Sequence, residues 1–480
     1  MSNSAHSSER FIRLGLLALA IYVYGFWLTG GQFDFLGRPG GRLDLTFNSM
    51  LEHMLHGRFD VDASIVGPEG FLRDGRVFAY WGPFFAFIRL PLLLIPGGAW
   101  ADVTCLSCFF AVCIAACVKL QTLRLAYLHS PPSALRDQLY WILLLVILFA
   151  GPQIEFLTPS IYQEVCLWAG AMAATFVYLA LRGLLSGRFT TATLCAMAAL
   201  AGIALLSRVS TGIGLSVALC ALLSVTALRE RSPRRLLLPL LILGALAATA
   251  GLVNTLRWGN PLVFANYRYY LYNNDFPDRW PRTVSYGLFN LQRVPFGIVY
   301  YFFPIWVLQG DDGHLLLEAT QRRLLDSTEL PPASFLLTDP LLLLLMAYAL
   351  WSLIRADRVV QPDRLQSAAV AAGLAVPCLL MLSAISMCFR YRVEFYPLIE
   401  FGAFLGFVLL CRRPPAAAQR RRAWFVVPAA VAVIGSNLTL VLYKISWLGP
   451  PIRYLRSGVG VFYRLEFERH YPRLAEWLFH

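Results

Sequence analysis

Residues 236–256 read LLLPLLILGALAATAGLVNTL, an uncharged run of 21 residues set between Arg235 and Arg257. At about 1.5 Å per residue, a helix of that length crosses the roughly 30 Å hydrocarbon core of a bilayer. The run is apolar all round, so it has no polar face to offer water. Runs of the same kind recur along the chain. They fall at Ile12–Thr29, Trp100–Leu120, Leu139–Ile154, Tyr162–Leu181, Thr190–Leu206 and Thr211–Leu228 before it, and at Asp339–Ile354, Gln366–Met387, Phe395–Leu410 and Trp424–Tyr443 after it. With Leu236–Leu256 that makes eleven predicted spans. The composition agrees: 58% of the 480 residues are apolar and 14% are charged, against about 25% charged in ordinary globular domains. The predicted fold is therefore all-α and polytopic, with residues 1–480 forming a single membrane domain. Ile12–Thr29 has the basic flank of a secretory signal, but no small-x-small cleavage site closes it, and it reads as an uncleaved first helix.

Lys and Arg in short loops are retained on the cytoplasmic side of a membrane. With the N-terminus inside, every predicted inner loop is basic: Arg124 and Arg136, then Arg182 and Arg188, then Arg229, Arg231, Arg234 and Arg235. Arg355, Arg358 and Arg364 follow, and last come Arg412, Arg413, Arg420, Arg421 and Arg422. An odd number of spans puts the C-terminal tail outside. The net charge of +13 is thus a matter of topology and contact with membrane lipids, and nothing in it points to nucleic acid. All ten cysteines lie within or at the ends of predicted spans, where a small polarizable side chain packs much as alanine does, so disulfides are not expected. Cys105 and Cys108 form a CxxC with Cys113 and Cys117 beyond it, but polar partners that would orient metal ligands are missing from that run.

Three outer segments break the hydrophobic pattern: residues 30–96, 257–338 and the tail 444–480. In the first, Phe47, Met50, Leu51, Met54 and Leu55 recur at helical spacing while Asn48, Glu52, His53 and His56 face elsewhere, which predicts an interfacial helix lying on the outer leaflet. Pro83–Ile95, interrupted by Arg89 and Pro91, is short for a crossing and is also expected outside.

The order of several motifs resembles the GT-C superfamily, membrane glycosyltransferases that use polyprenyl-phosphate sugars and include protein O-mannosyltransferases and lipid A aminoarabinose transferases. An acidic residue, Asp44, follows the first span; an amphipathic helix comes next, then Tyr80-Trp81-Gly82-Pro83 leading toward the second span. Tyr162, Gln163, Glu164 and Trp168 open the fourth span, with Gln163 where bacterial members carry His. Ser207-Arg208 follows the fifth. Asn254 near the end of the seventh is followed by Arg257-Trp258-Gly259-Asn260-Pro261 and Phe264, and Phe389-Arg390-Tyr391-Arg392, Glu394-Phe395 and Pro397 lie at the entry to a late span. The resemblance covers most of the chain. It implies transfer of a hexosyl or pentosyl unit, with inversion, from a polyprenyl-phosphate donor to a lipid, glycan or protein acceptor at the outer face of a bacterial inner membrane.

That chemistry needs a base, phosphate contacts and a groove for the carrier. Asp44 is the candidate base for an acceptor hydroxyl; capping the helix that follows it is the competing structural role. Arg208, Arg390 and Arg392 are expected at the outer ends of spans, where guanidinium forks suit a lipid phosphate and where arginines also snorkel to headgroups. Glu164 sits at a membrane boundary, as part of an acceptor pocket or of an ion pair. Tyr80 is a further candidate substrate contact. Tyr267, Tyr269, Tyr270 and Tyr272 would stack on sugar rings or form an interfacial belt. Asp60 and Asp62 have the spacing to hold a divalent cation against phosphate, or to form a solvated turn; Glu52, His53 and His56 fit a polar helix face better than a metal site. No cofactor other than such a cation is expected. The alternative function is a lipid or saccharide flippase or transporter, which would place charges and broken helices near the midplane in two related halves; neither feature is legible in the sequence. A third is a noncatalytic membrane scaffold, in which Asp44 would tolerate substitution.

Overall fold

The computed structural model describes residues 2–36, 41–229, 234–303, 323–328, 333–355, 363–412 and 423–447, with residues 469, 472, 473 and 476. Eleven helices of 15 residues or more organise the described residues, one at each predicted run. They are α1 (Ser2–Thr29), α2 (Thr104–Leu128), α3 (Ala134–Phe149), α4 (Ile161–Ser186), α5 (Thr191–Leu205), α6 (Val209–Arg229), α7 (Arg234–Trp258), α8 (Pro340–Arg355), α9 (Arg364–Ser383), α10 (Tyr396–Cys411) and α11 (Ala423–Trp447). Eight described helices are long and apolar enough to cross a membrane, α3 being counted with the turn after it; α5, α8 and α10 are shorter apolar helices. The chain is an all-α multi-pass membrane protein.

Where helix ends differ from the predicted runs, local backbone chemistry explains it. The run Leu139–Ile154 breaks at Ala150 because Gly151 takes a left-handed conformation (φ +58°) and Pro152 starts a separate turn, Pro152–Glu155. The second run starts four residues late, at Thr104, where Asp102 Oδ1 accepts from the Thr104 N–H at 2.9 Å in a local turn. Close helix contacts fall on small residues. A Cβ on Gly373 of α9 would lie 2.2 Å from Ala218 Cα of α6, and one on Gly406 of α10 would meet the Leu345 carbonyl of α8 at 2.0 Å. Such sites let helix backbones approach without a hydrophobic driving force between them. By contrast α7 leaves Leu237, Leu238, Leu241 and Leu252 exposed, the surface expected of a helix that faces lipid.

The two ends of the bundle differ. At one end Arg412 reaches the His129 carbonyl (3.3 Å), Arg13 the Tyr140 hydroxyl (3.4 Å), and Arg229 pairs with Asp363. The other end gathers the non-helical segments. There the Phe84 N–H bonds the Leu206 carbonyl (3.0 Å), the Leu271 N–H the Gly70 carbonyl (2.9 Å) and the Asn290 N–H the Ser383 carbonyl (2.8 Å). Arg293, fully buried, donates to the carbonyls of Gly287, Leu288, Leu324 and Ser383, tying the second long segment to the end of α9.

The amphipathic helix of the first segment spans Thr46–Leu55, but its apolar face does not lie on lipid. Phe47, Met50 and Leu51 are buried against Trp81, Phe85, Ile161 and Val165. The helix roofs the bundle, and the surface it covers is the protein's own. Pro83–Ile95 forms a short helix, Phe84–Phe87, and a 3-10 segment, Leu90–Leu94, at the same end. Most of the tail 444–480 lies outside the described residues.

Candidate functional site

Asp44 sits in a 3-10 turn, Arg42–Leu45, held just ahead of the roof helix. Its side chain does not cap that helix. Oδ1 accepts from the N–H of Ile161, the first residue of α4, at 2.9 Å, beside Ser160, whose Oγ caps the same helix by accepting from Gln163 N–H. A carboxylate there meets the positive end of the α4 dipole. Burial dominates its titration. It raises the Asp44 carboxyl to about 6, with the Asp102 and Glu164 charges pushing the same way and the Ile161 hydrogen bond and Arg89 opposing. A base at about 6 is largely ionised near neutral pH while still able to take up a proton.

Glu164, on the next turn of α4, is fully buried and forked by Arg89: Nη2 to Oε2 is 2.8 Å, and Nη1 meets Oε1. Of its two expected roles the geometry realises the ion pair. Arg89, which in the sequence only interrupts an apolar stretch, also lies 5.3 Å over the Phe47 ring. This pair fastens the roof to α4.

The three candidate phosphate arginines part company. Arg208 pairs with Glu394, whose carboxylate also accepts from Ser210 Oγ (2.6 Å) and Thr211 Oγ1 (2.8 Å). Arg390 is half-buried, its guanidinium 4.3 Å over the Tyr162 ring. Arg392, two residues on in the same turn, points the other way and is enclosed. It pairs with Glu155 (2.8 Å) and Asp339 (3.3 Å) and stacks on Phe335 at 4.3 Å. With no exposed surface, Arg392 does not meet a lipid phosphate at the interface, contrary to the sequence-based expectation.

Tyr80 stacks on Trp81 (4.4 Å between centroids) and stands edge-on to Phe71. Around it, a carboxylate that the sequence did not single out joins three segments: Glu69 accepts from the hydroxyls of Tyr162 (2.5 Å) and Tyr270 (2.8 Å). Tyr272 packs on Tyr270, and Tyr267 on both Tyr270 and Phe71. The tyrosine cluster thus folds back over the first segment next to Arg390. Asp60 and Asp62 face opposite nitrogens of one imidazole, His53 Nδ1 (3.2 Å) and Nε2 (3.4 Å). The two carboxylates are turned to that ring, and among the described residues no group of three or more His, Cys, Asp or Glu side chains is placed to hold a metal ion.

Deeper in the bundle is a cluster that the sequence reading missed. Lys119 of α2 contacts Glu400 of α10 and donates to Gln153 Oε1 at 3.0 Å. Gln153 belongs to the same break in α3 as Glu155, the partner of Arg392. Tyr396 Oη lies 2.9 Å from Asp339 Oδ2 and 3.4 Å from Glu155 Oε2. Their signal in the sequence is that Lys119 and Glu400 are charges inside predicted spans, where an ionisable side chain is costly. Fifteen residues from the start of α2, Lys119 lies about 22 Å along the helix at ~1.5 Å per residue.

Together these features define a polytopic α-helical membrane protein with a roofed polar and aromatic site at one end of its bundle. No family model matches the chain, nor does any curated protein. Among solved structures it is similar to the oligosaccharyltransferase of Archaeoglobus fulgidus. The apo form gives a TM-score of 0.47 at 11% identity over 94% of this chain and 59% of that one. The form tethered to an acceptor peptide gives 0.49 at 12% over 93% and 58%. The complex of archaeal oligosaccharyltransferase AglB with an inhibitory peptide and a dolichol-phosphate gives 0.47 at 12% over 92% and 58%. The chain therefore spans less than two thirds of the length of these proteins.

Proposed function

We propose that the protein is a membrane glycosyltransferase of the GT-C type. It moves one sugar from a polyprenyl-phosphate donor to a lipid, glycan or protein acceptor at the outer face of a bacterial inner membrane. The observation that carries this is Asp44: a carboxylate raised to about 6, in the segment after the first span, at the bundle end that also carries Arg390 and the tyrosines. In this reading Asp44 takes the acceptor proton as its oxygen attacks the anomeric carbon, and the polyprenyl phosphate leaves with inversion. Arg390 contacts the phosphate. Arg208 is held in place by Glu394 beside it, and Tyr80 borders the sugar. Glu164 and Arg392 hold the frame. A divalent cation would enter at Asp60 and Asp62, in competition with His53.

Purified protein incubated with a pool of polyprenyl-phosphate sugars should release polyprenyl phosphate in the presence of acceptor. Mass spectrometry of envelope glycans with and without the protein should identify the transferred sugar. Absence of both changes would sink the enzyme reading. The buried charges at the α3 break favour one second reading, transport of a lipid or saccharide. It predicts movement of unmodified substrate across proteoliposomes with no bond broken.

A further inference from the structure

Among the described residues, six ionisable side chains meet inside the bundle. They are Lys119 of α2, Glu155 of the turn after α3, Asp339 ahead of α8, Arg392 of the 389–394 turn, and Tyr396 and Glu400 of α10. Around them stand Gln153, Thr338 and Ser436, while the Tyr300 hydroxyl is engaged by the Met387 carbonyl at 3.0 Å. All six are at most 5% exposed. The five that carry charge are three carboxyls and two cations, so full ionisation would leave one net negative charge enclosed away from water. An uncompensated buried charge is not tolerated; the group neutralises instead.

The hydrogen atoms lead to the same shortfall. A tyrosine hydroxyl has one proton to donate, yet Tyr396 Oη faces carboxylate oxygens of both Asp339 and Glu155. Both contacts become hydrogen bonds only if one more proton is present. A protonated Glu155 would donate to Tyr396, and Tyr396 to ionised Asp339, which also accepts from Thr338 Oγ1 at 2.6 Å. Independently, Asp339 Oδ1 and Glu155 Oε1 are buried without a hydrogen-bond partner among the described residues, and Asp339 lines a small internal cavity with Lys119, Gln153 and Glu400.

We propose that this cluster is a proton-binding site: the folded protein holds one proton, shared by Glu155 and Asp339 through Tyr396, inside its helical bundle. The proposal does not depend on the glycosyltransferase reading. Infrared spectroscopy of the full chain in lipid, with exchange into D2O, tests it through the carbonyl stretch of a protonated carboxylic acid. Wild type at pH 7 should show one such band. Glu155→Gln and Asp339→Asn each leave two carboxylates facing two cations, so each should abolish it, whereas Lys119→Met should double it. The melting temperature supplies a readout in wild type alone. Above pH 7, where Asp44 with its carboxyl at about 6 is already ionised in the folded protein, a proton still bound only by the folded state makes stability fall as pH rises, by up to tenfold in the folding constant per pH unit. Absence of the band in wild type overturns the proposal even if the variants do not fold. So does a band that survives Glu155→Gln and Asp339→Asn but disappears in Asp44→Asn.

Discussion

Replacing Asp44 by asparagine keeps an oxygen that can accept the Ile161 N–H and removes the lone property a base requires. The two roles of this residue therefore separate in one variant. Asp44→Asn should leave insertion and yield close to wild type and lower the rate by about 10²- to 10⁴-fold, read as polyprenyl phosphate released per minute. Because burial raises this carboxyl to about 6, the ionised base is lost as pH falls through that value. The kcat/KM of wild type should drop about tenfold per unit below it and level off above. The sign for stability is the opposite: a carboxyl raised by folding favours the folded state at low pH, and that contribution is lost as pH rises through about 6. At Arg390 the fork and the stack over Tyr162 both depend on a planar guanidinium. Arg390→Lys should raise KM for the donor about tenfold or more, the loss of a charged hydrogen bond of ~1.5 kcal/mol or above. An unchanged KM in Arg390→Lys and Arg390→Ala would return this residue to headgroup anchoring.

Helices of this chain are legible in the sequence because hydropathy is a local property, and all eleven predicted runs contain a helix. What joins them is not local. Arg89 and Glu164 lie 75 positions apart, and Tyr396 and Glu155 lie 241 apart. No spacing rule connects such pairs. Asp44 is legible as a candidate from its place after the first span, while its partner, a backbone N–H at position 161, cannot be read from residue types at all. Glu69 escaped for the same reason: its meaning lies in two tyrosines, 93 and 201 positions away. Small residues at helix crossings are intermediate, visible as glycines but silent about what they face. On α9, Gly373 faces the Ala218 backbone with no room for a Cβ, whereas Gly244 of α7 has nothing within 4 Å. Gly373→Val should force α6 and α9 apart and cost roughly 1–3 kcal/mol, seen as a lower melting temperature in detergent. Gly244→Ala should raise it slightly, since alanine stabilises a helix interior by roughly 0.5–1 kcal/mol over glycine.

At the scale of the whole molecule, the arrangement of the ends bears on the three short helices. Each of α5, α8 and α10 has 15 or 16 residues and rises roughly 22–24 Å, less than the ~30 Å hydrocarbon core. If any one failed to cross, every later loop would change sides. The contacts argue for crossing by α5 and α10. Leu206, just past the end of α5, holds Phe84 among the roof segments, whereas the far end of α6 pairs Arg229 with Asp363 at the basic end. Just ahead of α10, Glu394 joins Arg208 at the roof, and Arg412, past its end, meets His129 at the basic end. A reporter fused after Arg231 should therefore report cytoplasm, and fusions near Asp275 and after His480 should report the outside, with the basic loops retained inside. Residues near 231 and most of the tail lie outside the described residues. An outside report at Arg231 would mean that α5 is re-entrant and that the roofed site faces the cytoplasm from there on. An inside report at His480 with the other two as expected would confine the error to α8–α11, leaving Asp44 and Arg208 on the outer face and moving the second half of the site away from them.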